Sequence, residues 1–237
     1  VDFEKASKVI GKTQRNWDHT VSIPREDIDH LIKVSSNAPM KQGMQSYRLF
    51  VSTRLEFNQL IYKWAHDQHD SGPVQNKIRN SQVAAPLLML YAVHDIGDII
   101  NSPKNKEKIL ELNIEYEVER DHQGNILRYN PLASIPDFCF SAGVAAGATA
   151  MASAELGYQT GFCSCMNIPG LVDEINQKFP GVAMKAFWNE YTVNDILCLG
   201  IGNKNPNFKS NQVIKDGKVL WTVASTNKKK PTTYVYK

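Results

Sequence analysis

The chain has 237 residues, 27 Lys and Arg against 24 Asp and Glu, and 42% hydrophobic side chains. That apolar content excludes disorder, the length suits one large domain or one carrying an elaborate insertion, and no apolar run reaches the roughly 18 residues that would span a bilayer. A net charge of +3 is too small to argue for nucleic acid, which needs a concentrated basic face. Residues 1–12 lack the apolar stretch of a signal peptide, and the four sparse cysteines (Cys139, Cys163, Cys165, Cys198) read as thiols of a reducing compartment. A soluble, cytoplasmic, globular protein is the expectation.

A short N-terminal helix is expected to lead into Lys12-Thr13-Gln14-Arg15-Asn16-Trp17. A second helix should follow Pro24, since Ile28, Leu31 and Ile32 share a face at helical spacing, and it should end through Ser35-Ser36-Asn37 before Pro39. Residues 47–53 (YRLFVST) read as a strand. Leu55, Leu60, Ile61 and Trp64 mark an amphipathic helix closed by Ser71-Gly72-Pro73. The continuous apolar run 87–93 (LLMLYAV) predicts a strand covered on both faces. Residues 96–136 are charged and read as an insertion over the core, with a helix near 104–112 and a turn at Asp121-His122-Gln123-Gly124-Asn125 between two strand-like pieces. The Ala-, Gly-, Ser- and Thr-rich stretch 141–156 predicts a central helix packed closely on a neighbour. Residues 192–201 form another strand, and Asp216-Gly217 within 213–223 is a hairpin signal. Strands interleaved with helices make the fold α+β or α/β.

The loudest motif is misleading. Residues 6–13 (ASKVIGKT) fit a loosened phosphate loop, with Asp95 as an imitation of a magnesium-binding acid, but a phosphate loop needs a buried strand before it and residues 1–5 are mostly polar. His66, Asp67, His69 and Asp70 could be metal ligands by type, although a polar helix end explains them as well, and no metal is expected. Cys163-Ser164-Cys165 is not the CxxC of redox or zinc sites and reads as a tight segment after the helix.

The remaining features form a series: the basic segment 12–17, the stretch 37–48 (NAPMKQGMQSYR), the small-residue helix with Leu156-Gly157-Tyr158-Gln159-Thr160-Gly161-Phe162, and a strand ending Leu199-Gly200-Ile201-Gly202. This series resembles the nitroreductase family of FMN-dependent oxidoreductases over residues 8–212. Lys12, Thr13, Arg15 and Trp17 fall on the family's R-R-S-x-R-x-F segment, and Ala38, Pro39, Gln45 and Tyr47 on its A-P-S-x-x-N-x-Q-P-W segment. The resemblance implies an α+β sandwich with a mostly antiparallel sheet flanked by helices, assembled as an intertwined homodimer with FMN at the interface. It implies ping-pong hydride transfer from NADH or NADPH through FMN to a nitroaromatic, quinone or similar small acceptor, with no catalytic side chain.

The residues toward the cofactor are then Lys12, Thr13, Arg15, Ala38, Pro39, Met40, Gln45, Cys165, Met166, Asn167, Lys204 and Lys209. Lys12 and Lys209, with Lys204 as a substitute, supply charge to the phosphate and Thr13 a hydroxyl donor. Arg15 is the fixed cation that stabilises the reduced flavin. Gln45 donates and accepts at the pyrimidine edge, and the loop 165–168 lies against the ring. Tyr116, His122, Arg128 and Tyr129 are candidates for substrate contact from the insertion, residues 1–212 form the FMN-binding domain, and 213–237 is an extended arm on the partner subunit. Met40, Gly43 and the Gly11 that replaces the family's first Arg motivate an alternative, a flavin-fold protein that sequesters a ligand without turnover. A phosphate-loop NTPase is the third reading.

Overall fold

The computed structural model describes residues 2–40, 47–65, 80–94, 116–131, 135–164, 168–182, 192–215 and 217–222. They form helices α1 (Phe3–Ile10) and α2 (Arg25–Ser36), strand β1 (Tyr47–Ser52), helix α3 (Leu55–Trp64), a 3-10 turn (Ser81–Val83) and strand β2 (Leu87–His94). A hairpin of β3 (Tyr116–Arg120) and β4 (Ile126–Pro131) precedes the long helix α4 (Ile135–Glu155). Strand β5 (Gln159–Cys163), helix α5 (Ile168–Lys178), strand β6 (Thr192–Gly202) and the hairpin of β7 (Gln212–Lys215) and β8 (Lys218–Thr222) complete the order.

The main sheet runs β1-β2-β6-β5 with every neighbouring pair antiparallel. β2 lies inside it, and Leu87 through Ala92 are wholly buried. Its alternating side chains serve two different cores. Leu87, Met89, Tyr91 and Val93 join Ile28 and Leu31 of α2 and Phe138, Ala142, Ala145, Ala146 and Ala150 of α4. Leu88, Leu90 and Ala92 join Phe57, Leu60 and Ile61 of α3 and Leu171 and Ile175 of α5. A sheet covered by helices on both faces is the α+β sandwich expected.

Local chemistry sets the helix ends. Asp2 accepts the backbone N–H of Lys5 at 3.0 Å to cap α1, and α2 starts after Pro24 with Glu26 and Asp27 in its first turn and Lys33 in its last, charges that suit the helix dipole. α4 is longer than its small-residue stretch, beginning at Ile135 rather than near residue 141. Its buried hydroxyls are satisfied within the helix, Thr149 donating to the Ala145 carbonyl and Ser153 to that of Thr149, each at 2.8 Å. The expected turn at 121–125 is built by Asp121, whose Oδ1 accepts the N–H of Gln123 at 2.9 Å and of Asn125 at 2.8 Å, with Gly124 at φ 85°. Gly217, at φ 73°, turns the β7–β8 hairpin as its sequence signal anticipates.

The structure agrees with the reading of the phosphate-loop motif as misleading and adds two elements to the expected order. Residues 6–10 of the apparent phosphate loop lie within α1, with no strand among the described residues before them, so the backbone cannot form a phosphate cradle there. Cys163, expected in a tight segment after the helix, ends a paired strand. α5 had not been anticipated: its Pro169 and Gly170 mask a helical pattern carried by Leu171 and Ile175. The helix near 104–112, the closure at 71–73, Asp95, the His66–Asp70 cluster and the tail from 223 lie outside the described residues.

Candidate functional site

The N-terminal segment after α1 crosses the end of the sheet because two strands leave room for it. At Gly161 of β5 a Cβ would meet the Gln14 carbonyl, and at Gly200 of β6 it would meet that of Gln82. The Gln14 N–H donates to the Thr160 carbonyl at 2.9 Å, Trp17 forms an antiparallel bridge with Lys204, and the Trp17 Nε1 donates to the Ser81 carbonyl at 2.9 Å. The basic segment is therefore fastened to β5, the 3-10 turn and the chain leaving β6.

Asn16 completes the arrangement. Only 8% exposed, it donates from Nδ2 to the carbonyls of Lys209 at 2.7 Å and Gln212 at 2.8 Å, and its own carbonyl accepts the Asn205 N–H at 2.8 Å. Gln212 returns the favour through Oε1, which accepts the Lys209 N–H at 2.8 Å. Loop 203–212 is thus held against residues 14–18, although the two are far apart in sequence.

Between them opens a cleft of about 1410 Å³ whose lining includes Lys5, Lys8, Lys12, Arg15, Lys204 and Lys209 and, among the described residues, no Asp or Glu. Lys8 is paired with Glu4 one turn away. Lys12, Lys204 and Lys209 are exposed and able to meet an anion, whereas Arg15 is half-buried. Its Nη1 donates to Gln82 Oε1 at 2.7 Å. Burial draws the Arg15 pKa below its ordinary value, with the nearby Cys163 acting in the opposite direction. Arginine still keeps its proton, so the result is a positioned permanent cation. Such a cleft can bind a dianionic phosphate and place a fixed charge near whatever that phosphate anchors.

Five of the twelve residues expected at the cofactor (Lys12, Thr13, Arg15, Lys204 and Lys209) line this one cleft. Ala38 is buried in the core between α2 and α4, Met40 packs against that core, Pro39 is exposed, and none of the three lines the cleft. Gln45, Cys165, Met166 and Asn167 lie outside the described residues. Of the four substrate candidates, Tyr116, Arg128 and Tyr129 stand on the β3–β4 hairpin with their side chains outside the description, and His122 is exposed at its turn. His122 is not among the described residues that line the cleft. Gln14, Asn16, Gln82 and Gln212 were missed, since their roles come from partners distant in sequence and no spacing reports them.

Comparison with known proteins fits this geometry. The model of the Nitroreductase family matches residues 12–199. No curated protein matches the chain. Among solved structures, a nitroreductase with bound FMN from Bacteroides fragilis superposes with a TM-score of 0.54 at 12% identity, covering 94% of this chain and 100% of its own. A proposed NAD(P)H:FMN oxidoreductase from Staphylococcus epidermidis gives 0.54 at 15% identity, covering 88% and 89%. A nitroreductase family protein from Clostridium difficile gives 0.51 at 15%, covering 86% of each chain. At these identities the structural likeness is one of fold.

Proposed function

The chain belongs to the nitroreductase family, and from that premise we propose that it is an FMN-dependent oxidoreductase that takes electrons from NADH or NADPH and passes them to a nitroaromatic, quinone or similar small acceptor. The observation that carries the reading is the cleft lined by cations from two distant segments of the chain, with no carboxylate lining it among the described residues. A flavin mononucleotide phosphate carries close to two negative charges, and this donor set fits it. A second observation agrees. The Oε1 of the fully buried Gln14 accepts the N–H groups of Arg15 and Asn16, at 2.9 and 3.0 Å, while its Nε2 has no protein partner among the described residues. A buried amide donor in that position needs an acceptor, and a polar ligand provides one.

Bound FMN would supply the two-electron chemistry. The chain's part is to hold and tune it: Lys12, Lys204 and Lys209 neutralise the phosphate, the Thr13 hydroxyl donates to it, and Arg15, fixed by Gln82, favours the electron-rich state of the ring. Asn16 positions the loop that carries Lys204 and Lys209.

A homodimer completes the proposal. One face of α4 presents Phe140, 72% exposed, and Val144, 48% exposed, and a Cβ at Gly143 or Gly147 would meet nothing within 4 Å. An apolar face with glycines at its surface suits close approach by the same helix of a second copy. Ala38, Pro39 and Met40, which do not line the cleft of their own chain, would then serve that of the partner together with Gln45, with 213–237 reaching across as an arm. The hairpin bearing Tyr116, His122, Arg128 and Tyr129 would face the acceptor.

The test is titration of the purified chain with FMN, followed by quenching of flavin fluorescence. Saturable binding is expected, weakened about tenfold or more by Lys209→Glu, since a charge-assisted contact contributes about 1.5–3 kcal/mol. If FMN is not taken up, the oxidoreductase reading fails. Uptake without reduction by either nicotinamide nucleotide would instead favour ligand sequestration.

A further inference from the structure

The main sheet places two cysteines directly opposite one another. Cys163, the last residue of β5, is the register partner of Cys198 in β6. Residues paired across an antiparallel ladder point to the same face, and both thiols are indeed buried in the core between the sheet and helices α3 and α5. Directly opposed antiparallel residues have Cα atoms about 4.5–5.5 Å apart, within the roughly 4.4–6.8 Å range of disulfides. Closure therefore calls for side-chain rotation without any change of register.

Their surroundings differ in a useful way. Cys198 is wholly buried, whereas Cys163 is 6% exposed and stands at a strand end before the exposed Ser164. The half-buried Arg15 guanidinium lies within electrostatic reach of Cys163. A neighbouring cation favours the thiolate, which is the nucleophilic form. Two pairs along the ladder, on the same face, is the Gly161–Gly200 pair, over which the Gln14 and Gln82 segments pass, so the two thiols lie toward the Arg15 end of the cationic cleft.

We propose that Cys163 and Cys198 are an oxidisable cross-strand dithiol, with Cys163 the attacking and Cys198 the resolving thiol, and that a hydroperoxide is the oxidant. In the first step the Cys163 thiolate attacks the peroxide: an S–O bond forms, the O–O bond breaks, and the departing alkoxide or hydroxide takes up a proton. In the second, Cys198 attacks the resulting sulfenic acid; the S–S bond forms, and the lost hydroxyl leaves as water with the Cys198 proton. Two thiols are oxidised while one peroxide becomes an alcohol, or water, plus water. A small dithiol reverses the change. The inference needs no flavin and stands or falls apart from the reading above.

The experiment treats the purified chain as isolated with limiting hydrogen peroxide, alkylates the remaining thiols and identifies cross-linked peptides by mass spectrometry. The expected product links Cys163 to Cys198 with the loss of two alkylatable thiols, and dithiothreitol restores both. It should form at the same rate in Cys139→Ser, which removes the exposed thiol. Cys198→Ser should halt at a sulfenic acid on Cys163 that dimedone traps, and Arg15→Gln should slow formation about tenfold, because a neighbouring cation favours the nucleophilic thiolate. Because the wild-type chain alone reports the linkage, a variant that fails to fold does not remove the test. Oxidation confined to Cys139, a bridge that uses Cys165, or full alkylation of Cys163 and Cys198 after peroxide would overturn the proposal.

Discussion

Strand β2 offers its even and odd residues to two cores that are built differently. Toward α3 and α5 the packing is aromatic and closed: Phe57 meets Phe50 at 5.2 Å and Phe179 at 5.5 Å between ring centroids, and Glu174 ties α5 to Lys63 and Trp64 of α3. Toward α2 and α4 it combines the Tyr47–Tyr91 ring pair with the small side chains of α4 and a buried hydroxyl chain, Ser35 donating to Tyr91 and Tyr91 to Thr149, each at 3.2 Å. Burial pushes the Tyr91 phenol above its ordinary pKa, so the hydroxyl stays neutral and keeps its proton to donate. On the first side Phe57, Leu60 and Ile61 of α3 and Leu171 and Ile175 of α5 are buried. The second ends in a helix whose outer face, with Phe140 and Val144, lies open. One side of the sheet stabilises the fold of the chain, while the other would, in the proposed homodimer, also meet a second copy.

The contrast can be broken by mutation. Phe57→Ala should cost the most, about 3–5 kcal/mol of unfolding free energy in a denaturant titration, because a wholly buried ring leaves a cavity. Gly200→Ala comes next, at about 1–3 kcal/mol, since its methyl would overlap the Gln82 carbonyl, and it should also weaken FMN binding by displacing the partner of Arg15. Val144→Lys should change the unfolding of the single chain by less than about 0.5 kcal/mol yet shift sedimentation toward monomer. A destabilised monomer with unchanged assembly would reverse the assignment of that face.

The smallest effect is a pH dependence on the closed side. Lys178, Lys63 and the Trp64 N–H hold the Glu174 carboxyl down to about 2. A depressed folded-state pKa stabilises above the unfolded value, and that contribution fades as pH falls from the ordinary carboxylate range toward 2. Glu174→Gln should flatten this part of the acid unfolding curve, monitored by circular dichroism.

What could be read in the sequence followed from local pattern. α2, α3, β2 and the turn at Asp121 were visible because helical spacing, an unbroken apolar run and Asp-Gly chemistry act over a few residues. α5 was hidden by Pro169 and Gly170 at its start, and β5 by its shortness and the Gly161 within it. At the site, the cations Lys12, Arg15, Lys204 and Lys209 were legible through the resemblance and the need of a phosphate for charge. Asn16 was not, because its acceptors lie 193 and 196 residues away and only folding brings them together. The same holds for Gln82 beneath Arg15 and for the opposition of Cys163 and Cys198, which depends on the register of two strands.

The most direct measurement is the visible absorbance spectrum of the purified chain with FMN, taken before and after anaerobic addition of NADPH and, separately, NADH. Oxidised flavin bands that bleach with one of the two nucleotides and return on adding a quinone are the predicted result. A chain that stays colourless in the presence of FMN after removal of free ligand would contradict the account.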